Sequence, residues 1–237
     1  MRLRDALRTT AAVREFSDEP VSDEVVYAIL DTARFSPSGG NRQGWRVVLI
    51  RDCQLRRALR DLYRPAWREY LAQAKAGLVA WAPITDRERE RQAIAEAAAG
   101  PALTEAERAG FVENLDRVPV LLVLLADLRT LAATDRDHDR YTFVGGASMY
   151  PFAWSILLAA REHGLGGVLT TMLVRHEAEV RTLLAIPDEY ALAAVMALGR
   201  PIHQPSRLRR APVEAFTTID HFDGVPLTAD GQATTIG

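Results

Sequence analysis

Ser36-Pro37-Ser38-Gly39-Gly40-Asn41-Arg42-Gln43-Gly44-Trp45 is the stretch on which the reading of this chain turns. Pro37, Gly39 and Gly40 break any regular element, so the stretch is a loop. On its N-terminal side, residues 22–35 have helical spacing: Val25, Val26, Ile29, Leu30 and Ala33 share one face. Ser22 is placed to cap that helix, and Asp23 and Glu24 suit its first turn. On the C-terminal side, Trp45 to Ile50 reads as a strand with buried faces. The loop therefore joins a helix to a core strand.

The same alternation continues outward. Residues 3–10 predict a short helix and 54–76 a long one, with Leu59, Leu62, Trp67, Tyr70 and Leu71 among arginines and glutamates. Residues 77–117 carry the charged run Asp86-Arg87-Glu88-Arg89-Glu90-Arg91, an alanine-rich segment and the break Gly100-Pro101. They read as a solvated helix pair or as a mobile cover over a site. Residues 119–126 are a second strong strand, and 134–142 a polar loop. A largely apolar helix over 146–163 ends at Gly164-Leu165-Gly166-Gly167. Val168 to Met172 is a short strand, 176–185 a helix, and Ala191 to Leu198 a strand stopped by Gly199 and Pro201. The last ~35 residues lack a clear helix, so that tail frays or lies on another surface. Helices separate strands 45–50 and 119–126, so simple hairpins are not the rule, and the order of elements predicts an α+β fold.

Composition narrows the function classes. The chain has 237 residues, 48% of them hydrophobic, enough for one sizeable core. Its 29 basic and 31 acidic residues give a net charge of −2, with the arginines spread out, which gives no basis for a nucleic-acid partner. Cys53 is the only cysteine, so there is no intrachain disulfide and no cysteine-built zinc site. The start, Met1-Arg2-Leu3-Arg4-Asp5-Ala6, lacks the apolar core of a signal peptide, and no run reaches the ~20 apolar residues of a membrane span. A soluble cytoplasmic protein is the expectation.

The common catalytic signatures are missing. Gly145-Gly146-Ala147-Ser148-Met149 lacks the second glycine of a nucleophile elbow, and there is no phosphate-binding Walker loop or dinucleotide fingerprint. His138, His163, His176, His203 and His221 do not pair at helical ligand spacing, so no metal site is expected. Four clusters remain: Thr9-Thr10-Ala11-Ala12-Val13-Arg14-Glu15-Phe16, the loop 36–45, Leu169-Thr170-Thr171, and Arg207-Leu208-Arg209-Arg210. Each alone has an ordinary reading. Arg14 can pair on the surface with Glu15 or Asp18, the loop has common turn composition, the threonines suit any strand, and the tail arginines can be solvated.

Their order resembles the nitroreductase family. Val13-Arg14-Glu15-Phe16, Pro37-Ser38-Gly39-Gly40-Asn41-Arg42-Gln43-Gly44-Trp45, Gly164-Leu165-Gly166, Leu169-Thr170-Thr171, Leu198-Gly199-Arg200-Pro201 and Arg210-Ala211-Pro212-Val213 follow one another as that family's motifs do. The resemblance covers roughly residues 5–215, with 63–117 unmatched. It implies a nitroreductase-like α+β fold: a central mixed or antiparallel sheet of about four to five strands, surrounded by helices, in an intertwined homodimer. One domain over 1–237 is expected, with a helical lid around 63–117 and a C-terminal extension over 201–237.

The resemblance also implies non-covalently bound FMN, NAD(P)H as co-substrate, and a small-molecule electron acceptor. Arg14 would stabilise negative charge around N1 and the C2 carbonyl of the reduced flavin. Pro37, Ser38, Gly39 and Asn41 would contact the flavin from the other subunit. Leu169, Thr170 and Thr171 would line it near N5. Arg210, with Arg207 and Arg209 beside it, would hold the phosphate. No side-chain nucleophile or other catalytic residue is expected, because hydride passes at flavin N5. Two departures stand out. Thr10, Ala11 and Ala12 replace an arginine, a basic residue and a serine, leaving Thr10 as an uncharged phosphate contact, with Arg8 a substitute if the first helix places it there. Gly44 stands where proline is frequent.

The implied reaction is ping-pong reduction of nitroaromatic, quinone or similar acceptors, with Tyr63, Trp67, Tyr70 and Trp81 in the lid segment setting substrate choice or simply packing helices. The alternatives are a specialised branch, reductive dehalogenase-like or flavin-cleaving, and a non-enzymatic flavin-binding protein.

Overall fold

The computed structural model describes residues 1–100 and 110–229. Val120-Leu121-Leu122-Val123-Leu124-Leu125-Ala126 is apolar at every position, and the fold shows why. Strand β2 (Val120–Asp127) lies inside the sheet, so its side chains meet a core on both faces. Val120, Leu122 and Leu124 point to one core and Leu121, Val123 and Leu125 to the other. Leu121 to Leu124 are each 0% exposed, and burying a side chain of this kind contributes about 1.5–3 kcal/mol.

The other strands are β1 (Trp45–Leu49), β3 (Gly166–Thr170) and β4 (Tyr190–Gly199), in the order β1-β2-β4-β3. Every pairing is antiparallel, so the sheet is a four-stranded antiparallel one rather than mixed. The β2–β4 register shifts once, between Leu124 and Leu125, where Ala193 is the extra residue of a bulge.

Six α-helices lie around the sheet among the described residues: α1 (Leu3–Thr9), α2 (Asp23–Ala33), α3 (Cys53–Lys75), α4 (Arg87–Ala99), α5 (Tyr150–Glu162) and α6 (Glu177–Leu184). Val26, Ile29 and Ala33 of α2 and Phe152, Ile156 and Ala160 of α5 cover one face. Leu59 and Tyr63 of α3 and Val180 of α6 cover the other. The result is three layers, with helices on both faces of an antiparallel sheet.

Local chemistry sets the ends of these elements. Ser22 occupies the N-cap of α2 but makes no capping bond to the backbone; its hydroxyl bonds the Glu24 carboxylate and holds that group below its usual range. Asp52 caps α3 as a carboxylate should, accepting from Gln54 N and Leu55 N at 2.8 Å each. The helix expected over 146–163 begins only at Tyr150, because Val144–Ser148 forms a tighter 3₁₀ turn. Its end is a paired closure: Gly164, at φ +70°, allows Gly164 N to reach Arg161 O and Leu165 N to reach Ala160 O. That reversal delivers the chain directly into β3.

Of the helix pair expected over 77–117, α4 is present and residues 101–109 lie outside the described part. Helix α3 runs unbroken through position 63, with Pro65 inside it. No helix among the described residues is long and apolar enough to cross a membrane.

Candidate active site

Residues 10–17 run beside β3 and the end of β4. Val13 N donates to Gly167 O at 2.9 Å, Ala12 bridges Gly167, and Ser17 N donates to Arg200 O at 2.9 Å. Glycine is what permits this approach: a Cβ on Gly166 would lie 2.8 Å from Val13 Cγ2. The segment's backbone is thereby pinned, and Arg14 is held at the edge of a cavity.

That cavity has a volume of about 610 Å³, within the range of roughly 300–1,000 Å³ usual for small-molecule sites. Arg14, Leu169, Thr170 and Thr171 meet there, so two clusters far apart in sequence share one site. Tyr63, Trp67, Tyr70 and Phe111 form its aromatic side. Trp67 and Tyr70 stack with ring centroids 5.1 Å apart, and Tyr63 meets Phe111 edge-on at 6.0 Å. The arrangement offers one cation, two threonine hydroxyls and a set of π-faces to a flat ligand.

Tyr63 ties the two sides together, its hydroxyl 2.8 Å from Thr170 Oγ1. Burial pushes the Tyr63 phenol above its ordinary 10.0, against the opposing pull of the Thr170 bond and the Arg14 charge. A raised phenol favours the protonated folded state. Its contribution is fully present below pH 10 and is lost as pH climbs through the raised value. Tyr63→Phe is therefore expected to cost about 1 kcal/mol near neutral pH, a fall in Tm of roughly 2–4 °C. Thermal melts at pH 7 and above pH 10 check this: the wild-type advantage should shrink at the higher pH, and an equal gap at both would exclude the ionisation.

The loop 36–45 lies elsewhere on the chain. Gly39 N donates to Ser148 Oγ at 3.0 Å, and Ser38 Oγ accepts from Gln43 N at 2.9 Å. Gly40, Asn41 and Gln43 all have positive φ, at 60°, 53° and 51°. Such strain in non-glycine residues persists only where surrounding contacts impose it, and it gathers at functional sites. Gly44 has a local reason: its would-be Cβ falls 2.0 Å from Thr130 Oγ1, while its carbonyl accepts from Asp127 N at 2.8 Å. None of Pro37, Ser38, Gly39 or Asn41 lines the Arg14 cavity of its own chain. Pro37 borders a second groove of about 390 Å³, shared with Leu3, Phe35 and Leu158.

The tail arginines are also apart from the cavity. Arg207, Arg209 and Arg210 are exposed, and Arg210 Nη1 bonds the Arg209 carbonyl at 2.7 Å. Thr10 is buried, 5% exposed, and its hydroxyl has no partner among the described residues. Arg8 is exposed on the last turn of α1. Two residues near the site carry more than their sequence context suggested. Tyr63 is a direct partner of Thr170, and Arg161 reaches Thr9 from α5. Arg161 sits in the polar Arg161-Glu162-His163 end of an apolar helix, so its sequence context gives no signal of this contact. Among the described residues no cluster of His, Cys, Asp and Glu could hold a metal.

The sequence that builds this sheet and its two-sided helical cover matches a known family. The family model described as nitroreductase family matches residues 7–200. The chain belongs to the nitroreductase family and is an enzyme of the flavin oxidoreductase class. It is 27% identical over 203 residues to an NADH dehydrogenase of Thermus thermophilus, covering 86% of this chain and 88% of that one. It is 28% identical over 235 residues to a nitrobenzene nitroreductase of Ectopseudomonas oleovorans, covering 92% and 96%. Among solved structures, oxidized iodotyrosine deiodinase bound to FMN and 3-iodo-L-tyrosine shares the fold, with a TM-score of 0.64, 22% identity, and coverage of 93% of this chain and 100% of that one.

Proposed function

We propose that this chain binds FMN non-covalently and, as a homodimer, uses NAD(P)H to reduce a small electron-poor acceptor such as a nitroaromatic or a quinone. The observation that carries the reading is the cavity in which Arg14 faces Leu169 to Thr171 beneath the aromatics of α3. FMN, held there by Arg14, Leu169, Thr170 and Thr171, would supply two-electron hydride chemistry between NAD(P)H and the acceptor.

The chain's own residues do the rest. Arg14, its segment held by the Val13–Gly167 bond, would place a fixed positive charge against the electron-rich edge of the flavin. Thr170 and Thr171 offer hydroxyls and backbone groups beside the ring, and Leu169 an apolar wall. Tyr63 orients the Thr170 hydroxyl. Trp67 and Tyr70, stacked at the cavity, would narrow it in favour of flat acceptors, and residues 63–117 would form the cover that selects substrate.

The loop is assigned across the dimer. Pro37, Ser38, Gly39 and Asn41 stand outside the cavity of their own chain, as a contribution to a second copy requires. The tail supports the same reading. Ile202, Phe216 and Phe222 are 69%, 70% and 101% exposed, apolar side chains that gain stability only against another surface. Thr10 and the arginines Arg207, Arg209 and Arg210 are assigned to the phosphate end, the arginines reaching it through the assembled dimer.

The test is an absorbance spectrum of the purified protein followed by anaerobic NADH and NADPH titration, with light scattering to count chains. A yellow dimer bleached by NAD(P)H is expected. A colourless protein that takes up no added FMN would sink the proposal. Bound FMN that NAD(P)H does not reduce would move the assignment to the specialised dehalogenase-like or flavin-cleaving branch.

A further inference from the structure

Among the described residues, a guanidinium without a carboxylate partner stands where α1, α5 and the segment after β4 converge. Arg161, in the last turn of α5, is partly buried. Among the described residues its one hydrogen bond is a long one, 3.5 Å to Thr9 Oγ1, and its Nε is buried without a partner. The neighbouring Thr10 hydroxyl is likewise buried and unpartnered. Gln204 closes the cluster, donating from Nε2 to Thr9 O at 2.8 Å, while its Oε1 finds no partner.

Unpaired buried donors and a partly desolvated cation each cost free energy, and here they occur together. An anion at this end would give the Arg161 guanidinium, and the Thr10 hydroxyl beside Thr9, the acceptor they lack among the described residues; Gln204 Oε1, itself an acceptor, would stay unmet. Position matters as much as charge. Thr10 and Arg14 lie on the same segment, four residues apart, which spans ~13 Å at the ~3.3 Å per residue of extended chain. That is comparable with the distance from ring to phosphate in FMN. Arg14 stands at one end of the segment and Arg161 at the other.

We infer that Arg161 is a phosphate-binding cation of this enzyme, holding a phosphomonoester together with the Thr10 hydroxyl, and that Gln204 positions this end of the site by fixing Thr9. The inference rests on the proposal that FMN is the cofactor. It assigns the charge that Thr10 lacks to a helix distant in sequence. The competing role for Arg161 is structural, a cation offsetting the C-terminal dipole of α1.

Binding of two flavins separates the roles. FMN and riboflavin share the ring and differ by the phosphate. Their affinities are measured by fluorescence titration on the full-length wild type, Arg161→Met, Arg161→Gln and Arg161→Lys. Met keeps the aliphatic stem and Gln a polar head, so loss of fold in one leaves the other informative. Expected are wild-type preference for FMN, a roughly tenfold to hundredfold loss of FMN affinity in the Met and Gln variants, unchanged riboflavin affinity, and partial recovery in Lys. An unchanged FMN-to-riboflavin ratio, or a parallel fall for both flavins, would overturn the inference in favour of the helix-end role. A wild type that binds both flavins equally would overturn it while leaving the flavin reading intact. A wild type that binds neither would remove both.

Discussion

Gly167→Ala is expected to destabilise the protein by about 3 kcal/mol, lowering Tm by roughly 6–12 °C, and to weaken ligand binding at a site it does not line. The added Cβ would lie 2.6 Å from Ala197 O and 2.4 Å from Leu198 Cδ2. The leucine side chain can turn away. The carbonyl belongs to the β3–β4 ladder and yields only if the strands separate. The penalty is steric, since Gly167 has no positive φ. Gly167 O also receives the Val13 N–H, so any displacement of β3 carries Arg14 with it. Thermal denaturation with parallel flavin titration checks the coupling. A Tm within a degree of wild type would show that the strand edge adapts and that this account of the glycine is wrong.

Arg14→Gln carries the largest expected effect on activity. Glutamine keeps hydrogen-bonding capacity and removes the charge. Loss of one preorganised group that stabilises developing charge costs roughly 10²–10³-fold in rate. Reduction of the bound cofactor by NAD(P)H should slow by about that factor. If the charge discriminates the reduced from the oxidized cofactor about a hundredfold, the two-electron potential falls by roughly 60 mV. Stopped-flow reduction and a dye-equilibrated potential measure the two quantities. Arg14→Lys should restore part of the potential, because charge matters there more than shape. An unchanged potential in Arg14→Gln would remove Arg14 from the proposed role.

Much of the architecture was legible because single strong signals dominate locally. The apolar run 118–126 reads as a buried strand from any direction, and Gly164 after an apolar helix reads as its end. Where several options had similar local cost, the sequence alone was less informative. Ser22 has the right residue type for a backbone cap, yet its hydroxyl bonds Glu24 instead. Both choices satisfy the hydroxyl, and neither leaves a trace in spacing. Pattern alone likewise leaves the sheet open between mixed and antiparallel, because strand direction depends on how the intervening helices pack.

The opening loop shows the same division. Residues 36–45 by themselves specify a break between a helix and a strand, through the proline and the glycines. That a side chain at Gly44 would displace the Thr130 hydroxyl follows only from the turn after β2 that brings Thr130 there. Clusters at 10–14 and 169–171 were each identifiable as polar stretches, and their order along the chain resembles one family. Their meeting in one cavity, the Tyr63 bond to Thr170, and the approach of Arg161 to Thr9 belong to tertiary structure. The physical reason is range. Propensity, periodicity and turn chemistry act over a few neighbouring residues and are written locally, whereas a site joins groups 152 positions apart, as Arg161 and Thr9 are, and more, through packing that no local pattern encodes.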